Sequence, residues 1–387
     1  MISLLLALIY IAFISLGLPD ALLGASWPIM HLEFGVSVSL AGVIAVTISL
    51  GTVVSSLMSD RLTLWLGAGK VTAISVGLTA LALFGFSQST EFWHLLVWAI
   101  PYGLGAGSVD ASLNNYVALH YASRHMSWLH CMWGLGASIG PYVMGRALTG
   151  GLTWNAGYRY IALFQVCLTA VLFLSLPLWK TRKQDVAGEN VSPRMPLSLK
   201  QVLAIPGAKE VLIAFFCYCA AEQTAILWGS TYLVRHWGMD EEIAAGFGSL
   251  FLIGITIGRF LNGFLTYKLS DKTLIRLGQG IMVLGVAVMW LPVGAASAMA
   301  GLLLIGLGCA PIYPCVIHST PEHFGEENSQ AIIGIQMAAA YIGVCVMPPV
   351  FGILADHISV SLLPAYVGAI TLLMILMCER LNKLTKS

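Results

Sequence analysis

Polar residues are so sparse along this chain that the apolar runs between them define its elements. The runs fall at 3–30, 38–59, 69–88, 92–120, 128–149 and 157–179, then at 209–234, 243–266, 274–293, 297–318, 329–353 and 361–379. Each is close to the roughly 20 residues that an α-helix needs to cross a bilayer. Strand-length alternation of apolar and polar positions is absent, which makes helices the spanning element and excludes a barrel. The first run lacks a basic leading segment and exceeds the roughly 7–15 residues of a cleaved leader's apolar stretch, so it is read as the first transmembrane helix. The expected fold class is an all-α membrane protein with twelve transmembrane helices in two six-helix bundles, at 1–180 and 207–387. A polar cytoplasmic connector, 181–206, joins them and carries Arg182, Lys183, Asp185, Glu189, Arg194 and Lys200.

Composition agrees with this pattern. Of the 387 residues, 58% are hydrophobic and 10% charged, against roughly 25% charged in soluble domains. A net charge of +1 argues against a nucleic-acid partner. The eight cysteines lie in apolar runs without metal-ligand spacing and read as packing residues. With both termini placed in the cytoplasm, fifteen of the nineteen Lys and Arg fall on that side. Arg159 and Arg235 fall opposite, and Arg146 and Arg259 lie within spans. This bias sets the expected orientation in a bacterial inner or plasma membrane, with both termini inside.

The two halves echo each other. Gly103-Leu104-Gly105 in the fourth span and Gly306-Leu307-Gly308 in the tenth are 203 residues apart (306 − 103), as are Gly51 and Gly254 in the second and eighth (254 − 51). Six spans repeated in parallel is a transporter layout in which the site lies between the halves.

Three acidic residues sit well inside spans: Asp20, Asp110 and Glu222. A carboxylate at bilayer depth costs about 2.5–3.5 kcal/mol even on lenient insertion scales, so each should face a cavity or a polar partner. Burial disfavours a charged carboxyl. One that is wet in one conformation and dry in another exchanges protons with alternating sides, which is the differential affinity that a coupled carrier requires. The alternative for each is a structural bond to a neighbouring helix. Pro19 removes a backbone donor and loosens the first helix beside Asp20.

A sugar site needs aromatic faces for ring C–H groups, and amides or carboxylates for hydroxyls. Trp27 lies seven residues after Asp20, on the same helical face, and Asn114 follows Asp110 by one turn, with Asn115 beside it. His130 and Trp133 are one turn apart; Gln223, Trp228 and Tyr232 come from the seventh span, and Gln336 from the eleventh. Each aromatic has packing or an interfacial belt as its alternative role. Arg259 either pairs with a carboxylate or snorkels to an interface.

Several segments carry a family resemblance: Gly103-Leu-Gly-Ala-Gly-Ser-Val-Asp110-Ala-Ser-Leu-Asn114, His130-Cys-Met-Trp-Gly-Leu-Gly-Ala-Ser-Ile-Gly140-Pro141, Gly254-Ile-Thr-Ile-Gly258-Arg259-Phe and Gly306-Leu-Gly-Cys-Ala-Pro-Ile-Tyr313-Pro314. Over essentially its whole length the chain resembles the major facilitator superfamily, and within it the fucose–galactose–glucose:proton symporter family. The resemblance implies alternating access. It implies proton coupling through an acidic residue of the fourth span beside the sugar site, matched here by Asp110 with Asn114. It also implies coupling through one in the first span, where Asp20 is the candidate. Gly140 and Pro141 match a signature common to much of the superfamily. The superfamily's loop after the second span usually reads Gly-x-x-x-Asp-Arg-x-Gly; here Ser56 and Thr63 replace the glycines around Asp60 and Arg61, which puts the gating role of that pair in question.

The function expected is secondary active transport, by proton-coupled symport of a monosaccharide or similar small polar solute. Proton-coupled export of drugs or metabolites on the same fold is the alternative. No cofactor is expected; the coupling ion is H+, with Na+ open because a carboxylate with amide neighbours also ligates that ion. The expected partners are a small-molecule substrate and the lipid bilayer, with the chain acting as a monomer. No phosphate loop, metal cluster or nucleophile arrangement is visible, which argues against an enzyme or an ATP-driven pump.

Overall fold

The computed structural model describes residues 4–180 and 195–385, and every regular element among them is helical. The first half runs α1 (Leu4–Asp20), α2 (Leu22–Glu33), α3 (Ala41–Leu66), α4 (Ala68–Ser87), α5 (Phe92–His120), α6 (Ser123–Thr149), α7 (Trp154–Leu174) and α8 (Leu176–Lys180). After the short α9 (Leu199–Ala204) come α10 (Ala208–Trp237), α11 (Glu241–Leu265), α12 (Asp271–Met289), α13 (Ala295–His318), α14 (Thr320–Phe324), α15 (Glu326–His357) and α16 (Leu363–Leu384). With α1 and α2 taken as one broken helix, the long helices match the twelve expected spans. Nine helices among the described residues are long and apolar enough to cross a membrane; α5 and α6, which carry the polar residues considered below, are not among the nine.

Two elements differ from the sequence-based expectation. The first span breaks at Ala21 (φ −103°, ψ 1°), directly after Asp20, where Pro19 has removed a backbone donor. The second span does not end near residue 59 but continues as helix to Leu66, so Asp60 and Arg61 are helical and not in a loop. Asp60 is buried, and its Oδ2 accepts the backbone N–H of Leu197 at 3.2 Å. Residues 181–194 of the expected connector lie outside the described residues; beyond them, Ser198 and Gln201 form a capping box that starts α9.

The chain divides into two compact units, one within Met1–Tyr116 and Leu129–Leu197, the other within Val117–Trp128 and Ser198–Ser387. The glycine echo is a packing repeat. A Cβ on Gly103 would lie 2.2 Å from the Ile48 carbonyl oxygen, and one on Gly306 would lie 2.5 Å from that of Phe251. A Cβ on Gly105 would lie 2.7 Å from the Ser75 carbonyl oxygen, and one on Gly308 would lie 2.6 Å from that of Gly278. Each contact recurs at the same offset of 203 residues (251 − 48 and 278 − 75). Only glycine lets helices approach this closely. So α5 beds against α3 and α4 in unit 1 as α13 beds against α11 and α12 in unit 2.

Within unit 2, the turn between α5 and α6 is held by polar contacts. Asn262 Nδ2 donates to Ser127 Oγ at 2.8 Å, and His318 Nε2 donates to the Tyr121 carbonyl at 3.1 Å. The Arg124 guanidinium sits 5.0 Å over the Tyr267 ring.

Candidate functional site

The site in unit 1 begins with a close helix pair. A Cβ on Gly17 would fall 2.1 Å from the Trp133 carbonyl oxygen, one on Gly136 2.1 Å from that of Ile14, and one on Gly140 1.9 Å from that of Leu18. Side chains are thus excluded from the seam between α1 and α6, and the two backbones touch. That contact brings the Trp133 indole to Asp20, whose Oδ2 accepts the Nε1–H at 2.8 Å. The Tyr102 hydroxyl of α5 donates to Asp20 Oδ1 at 3.2 Å. Asp20 remains exposed although it lies in the middle of the first span.

Asp110 stands on α5, half-buried, and accepts Asn114 Nδ2 at 2.8 Å across one helical turn. With its nitrogen spent there, Asn114 turns its Oδ1 to His130 Nε2 at 3.0 Å, which makes that nitrogen the donor. Asn114 and His130 are both buried, and the imidazole meets the Phe13 ring edge-on at 5.4 Å. Asp20 is near enough to act on Asp110 electrostatically, and among the described residues no cation acts on either carboxyl. Two neighbouring carboxyls at mid-span, hydrogen-bonded by neutral donors, are suited to taking up and giving back a proton or to receiving a ligand's hydroxyls.

Unit 2 handles its carboxylate differently. Arg259 Nη2 of α11 donates to Glu222 Oε1 of α10 at 3.2 Å, with side-chain exposures of 4% and 17%. The phenol of Tyr218 acts on both groups, and the Phe215 and Tyr313 rings lie 4.7 Å apart beside them.

Other sequence candidates are placed elsewhere. Trp27 is buried in the core of unit 1 and donates to the Val38 carbonyl at 2.7 Å. The break at Ala21 cancels the seven-residue periodicity that would have put it on Asp20's face. Trp228 donates to the Pro348 carbonyl at 2.9 Å and packs on Phe351, while the buried Tyr232 stacks on His236. Gln336 is fully buried and accepts the Thr320 hydroxyl at 3.2 Å. Gln223 is half-buried, Asn115 is buried and Arg61 is exposed. Tyr102 and Tyr218 were not singled out from the sequence. Tyr102 precedes Asp110 by two steps of four along α5, and Tyr218 precedes Glu222 by one, a spacing that carries the signal.

The fold has known counterparts. The model of the Major Facilitator Superfamily matches residues 9–329 and 211–383. The chain belongs to that superfamily. It is therefore a multi-pass integral membrane transporter and not an enzyme. Within the superfamily it is 24% identical over 345 residues to the uncharacterized transporter y4wD of Sinorhizobium fredii, covering 87% of each chain. It is 24% identical over 254 residues to the glucose/mannose transporter GlcP of Bacillus subtilis, covering 63% of this chain and 61% of that one. The solved structure of the E. coli fucose:proton symporter FucP superposes with a TM-score of 0.77 at 17% identity, over 99% of this chain and 98% of that one. The proton:xylose symporter XylE superposes at 0.78 with 12% identity, over 98% of each. At these identities the two structures show a shared fold.

Proposed function

We propose that this transporter carries a monosaccharide or similar small polyol together with a proton, by alternating access, with both termini in the cytoplasm. The observation that carries the reading is the pair Asp20 and Asp110, set at mid-span in unit 1 with neutral donors and, among the described residues, no cation acting on them. An obligately charged pair in that setting is costly, so the carboxyls are stable only when protons or ligand groups offset them. Tyr102 and Trp133 tune Asp20; Asn114 and His130 tune Asp110. The indole face of Trp133 offers the flat apolar surface that a sugar ring stacks on. The names of GlcP, FucP and XylE support the substrate class, as similarity.

The test is sugar-induced proton movement by purified protein in liposomes, followed with a pH-sensitive dye over a panel of hexoses and pentoses. One sugar should alkalinise the outside in the absence of sodium. Asp20→Asn and Asp110→Asn should each reduce that signal by about 100-fold, roughly 2.7 kcal/mol, while sugar binding survives. A signal that requires sodium would replace the proton as coupling ion. Sugar-independent behaviour, with an imposed gradient expelling lipophilic cations, would replace symport by export.

A further inference from the structure

A cavity of about 320 Å³ lies wholly within unit 2, at the end of the bundle that carries the C-terminus, far along α12 and α16 from the Glu222–Arg259 pair. Its volume is at the lower end of small-molecule sites, which run from about 300 Å³ upward. Its lining combines apolar side chains, Val211, Ala214, Ile275 and Val316 among others, with polar and charged ones.

The walls carry two cations, Lys272 and Arg276, and two carboxylates, Glu322 and Glu379. Arg276 holds Glu379 in a bidentate pair, both contacts at 2.6 Å. Lys272 and Lys383 act on that same carboxylate, so Glu379 answers three cations. Lys272 lines the cavity and, among the described residues, has no hydrogen-bonded or ion-pair partner. Gln279, also in the lining, is 2% exposed; its Nε2 meets no oxygen or nitrogen acceptor among the described residues, and the Cys378 thiol is its neighbour. A buried amide N–H with only a thiol beside it is weakly satisfied. An ammonium that makes no direct ion pair among the described residues and a weakly satisfied amide donor lining one cavity suit an oxyanion.

The remaining wall groups accept hydroxyls. His323 Nδ1 donates at 2.7 Å to Thr385 Oγ1, whose own proton goes to the Leu381 carbonyl, which leaves His323 Nε2 as an acceptor. Burial, opposed by Glu322 and helped by the smaller effect of Lys272, holds the His323 pKa below its ordinary value, so the ring stays neutral near pH 7. Glu322, which acts on His323, and Asn382 line the same cavity.

We propose that this cavity binds a phosphate ester bearing free hydroxyls, such as a sugar phosphate. Lys272 and Gln279 hold the phosphate; His323, Glu322 and Asn382 take the hydroxyls. The same chemistry is offered by a soluble sugar phosphate and by the headgroup of a glycerol-bearing phospholipid. With both termini in the cytoplasm the cavity opens to the side where an imported sugar is phosphorylated, and a sugar phosphate bound there would let uptake respond to its own product. That last sense rests on the transport reading above; the binding itself does not.

The test is binding by the full-length protein in nanodiscs of zwitterionic lipid, with radiolabelled glucose 6-phosphate as probe. Saturable binding in the millimolar range or tighter is expected, competed by inorganic phosphate but not by glucose. Lys272→Gln, at a partly exposed position that leaves the fold intact, should weaken it by about tenfold or more, and Gln279→Leu should do the same. Should nanodiscs containing phosphatidylglycerol block the probe, or raise the unfolding temperature of the wild type but not of Lys272→Gln, the phosphate site stands and its occupant is the lipid headgroup. Absence of saturable binding in both lipids, or equal binding by Lys272→Gln, overturns the proposal. Because no transport is measured, failure here and failure of sugar–proton coupling remain separate results.

Discussion

Asp20 and Asp110 in unit 1 and Glu222 in unit 2 all lie well inside long helices, but the two units compensate their charge by different means. Unit 2 supplies a fixed partner: Arg259 lies 3.2 Å from Glu222, and both side chains are largely withdrawn from solvent. Unit 1 supplies hydrogen-bond donors without charge, namely Tyr102, Trp133 and Asn114. A fixed ion pair is neutral whatever else binds, which suits an architectural role. Carboxyls hydrogen-bonded by neutral donors change charge when protons or ligand arrive, which suits the coupling role proposed above. The same superfamily fold thus holds an ion pair in one unit and two carboxyls with neutral donors in the other.

The sharpest way to break this comparison is to make unit 2 resemble unit 1. Arg259→Met leaves Glu222 buried without a counter-charge and should destabilise the protein by about 3–5 kcal/mol, read as loss of folded monodisperse protein or a fall in unfolding temperature. Adding Glu222→Gln to that variant should recover most of the loss. If Arg259→Met is as stable as wild type but transport fails, the pair belongs to the machinery and the comparison is wrong.

A smaller effect is expected at the seam that brings Trp133 to Asp20. In Gly140→Ala the new methyl meets the Leu18 carbonyl oxygen at 1.9 Å, which forces α6 off α1. The expected cost is about 1–3 kcal/mol of overpacking, together with weaker substrate binding. Gly145→Ala, on the same helix, meets nothing within 4 Å. It should be neutral or gain up to about 1 kcal/mol from helix propensity, so the contrast separates contact from composition. Thermal unfolding of the two variants side by side is the check.

The smallest and most selective effect concerns His130. Replacing it with Ala orphans the buried Asn114 Oδ1, at a cost of about 1 kcal/mol, and shifts the pH dependence of transport by loosening Asp110's partner. His130→Gln restores a donor to that oxygen and should return the profile toward wild type. An unchanged profile in both variants would make His130 a packing residue.

The acidic residues were legible in the sequence because a charge stands out against an apolar run. The glycine echo at an offset of 203 residues was legible for the same reason, and the structure gives it meaning as the same backbone contacts in each unit. Partners on other helices were not legible. Tyr102 reaches Asp20 only because α5 and α1 converge in unit 1, and Trp133 does so only because Gly17, Gly136 and Gly140 remove the side chains between two backbones. Trp27 shows the opposite failure: helical periodicity placed it with Asp20, but the break at Ala21 turned it into the core, where its indole caps the Val38 carbonyl.

By itself, then, the sequence determined that this is a twelve-span helical membrane protein of repeated halves with three carboxyls at depth. Apolar content, span length and isolated charges are additive along a chain and need no third dimension. Tertiary structure alone decided which carboxyl meets a cation and which meets neutral donors, and brought Lys272 and Gln279 to the lining of one cavity. Those outcomes depend on which helix faces meet, and helix faces are set by glycine seams and helix breaks acting together over long stretches of chain.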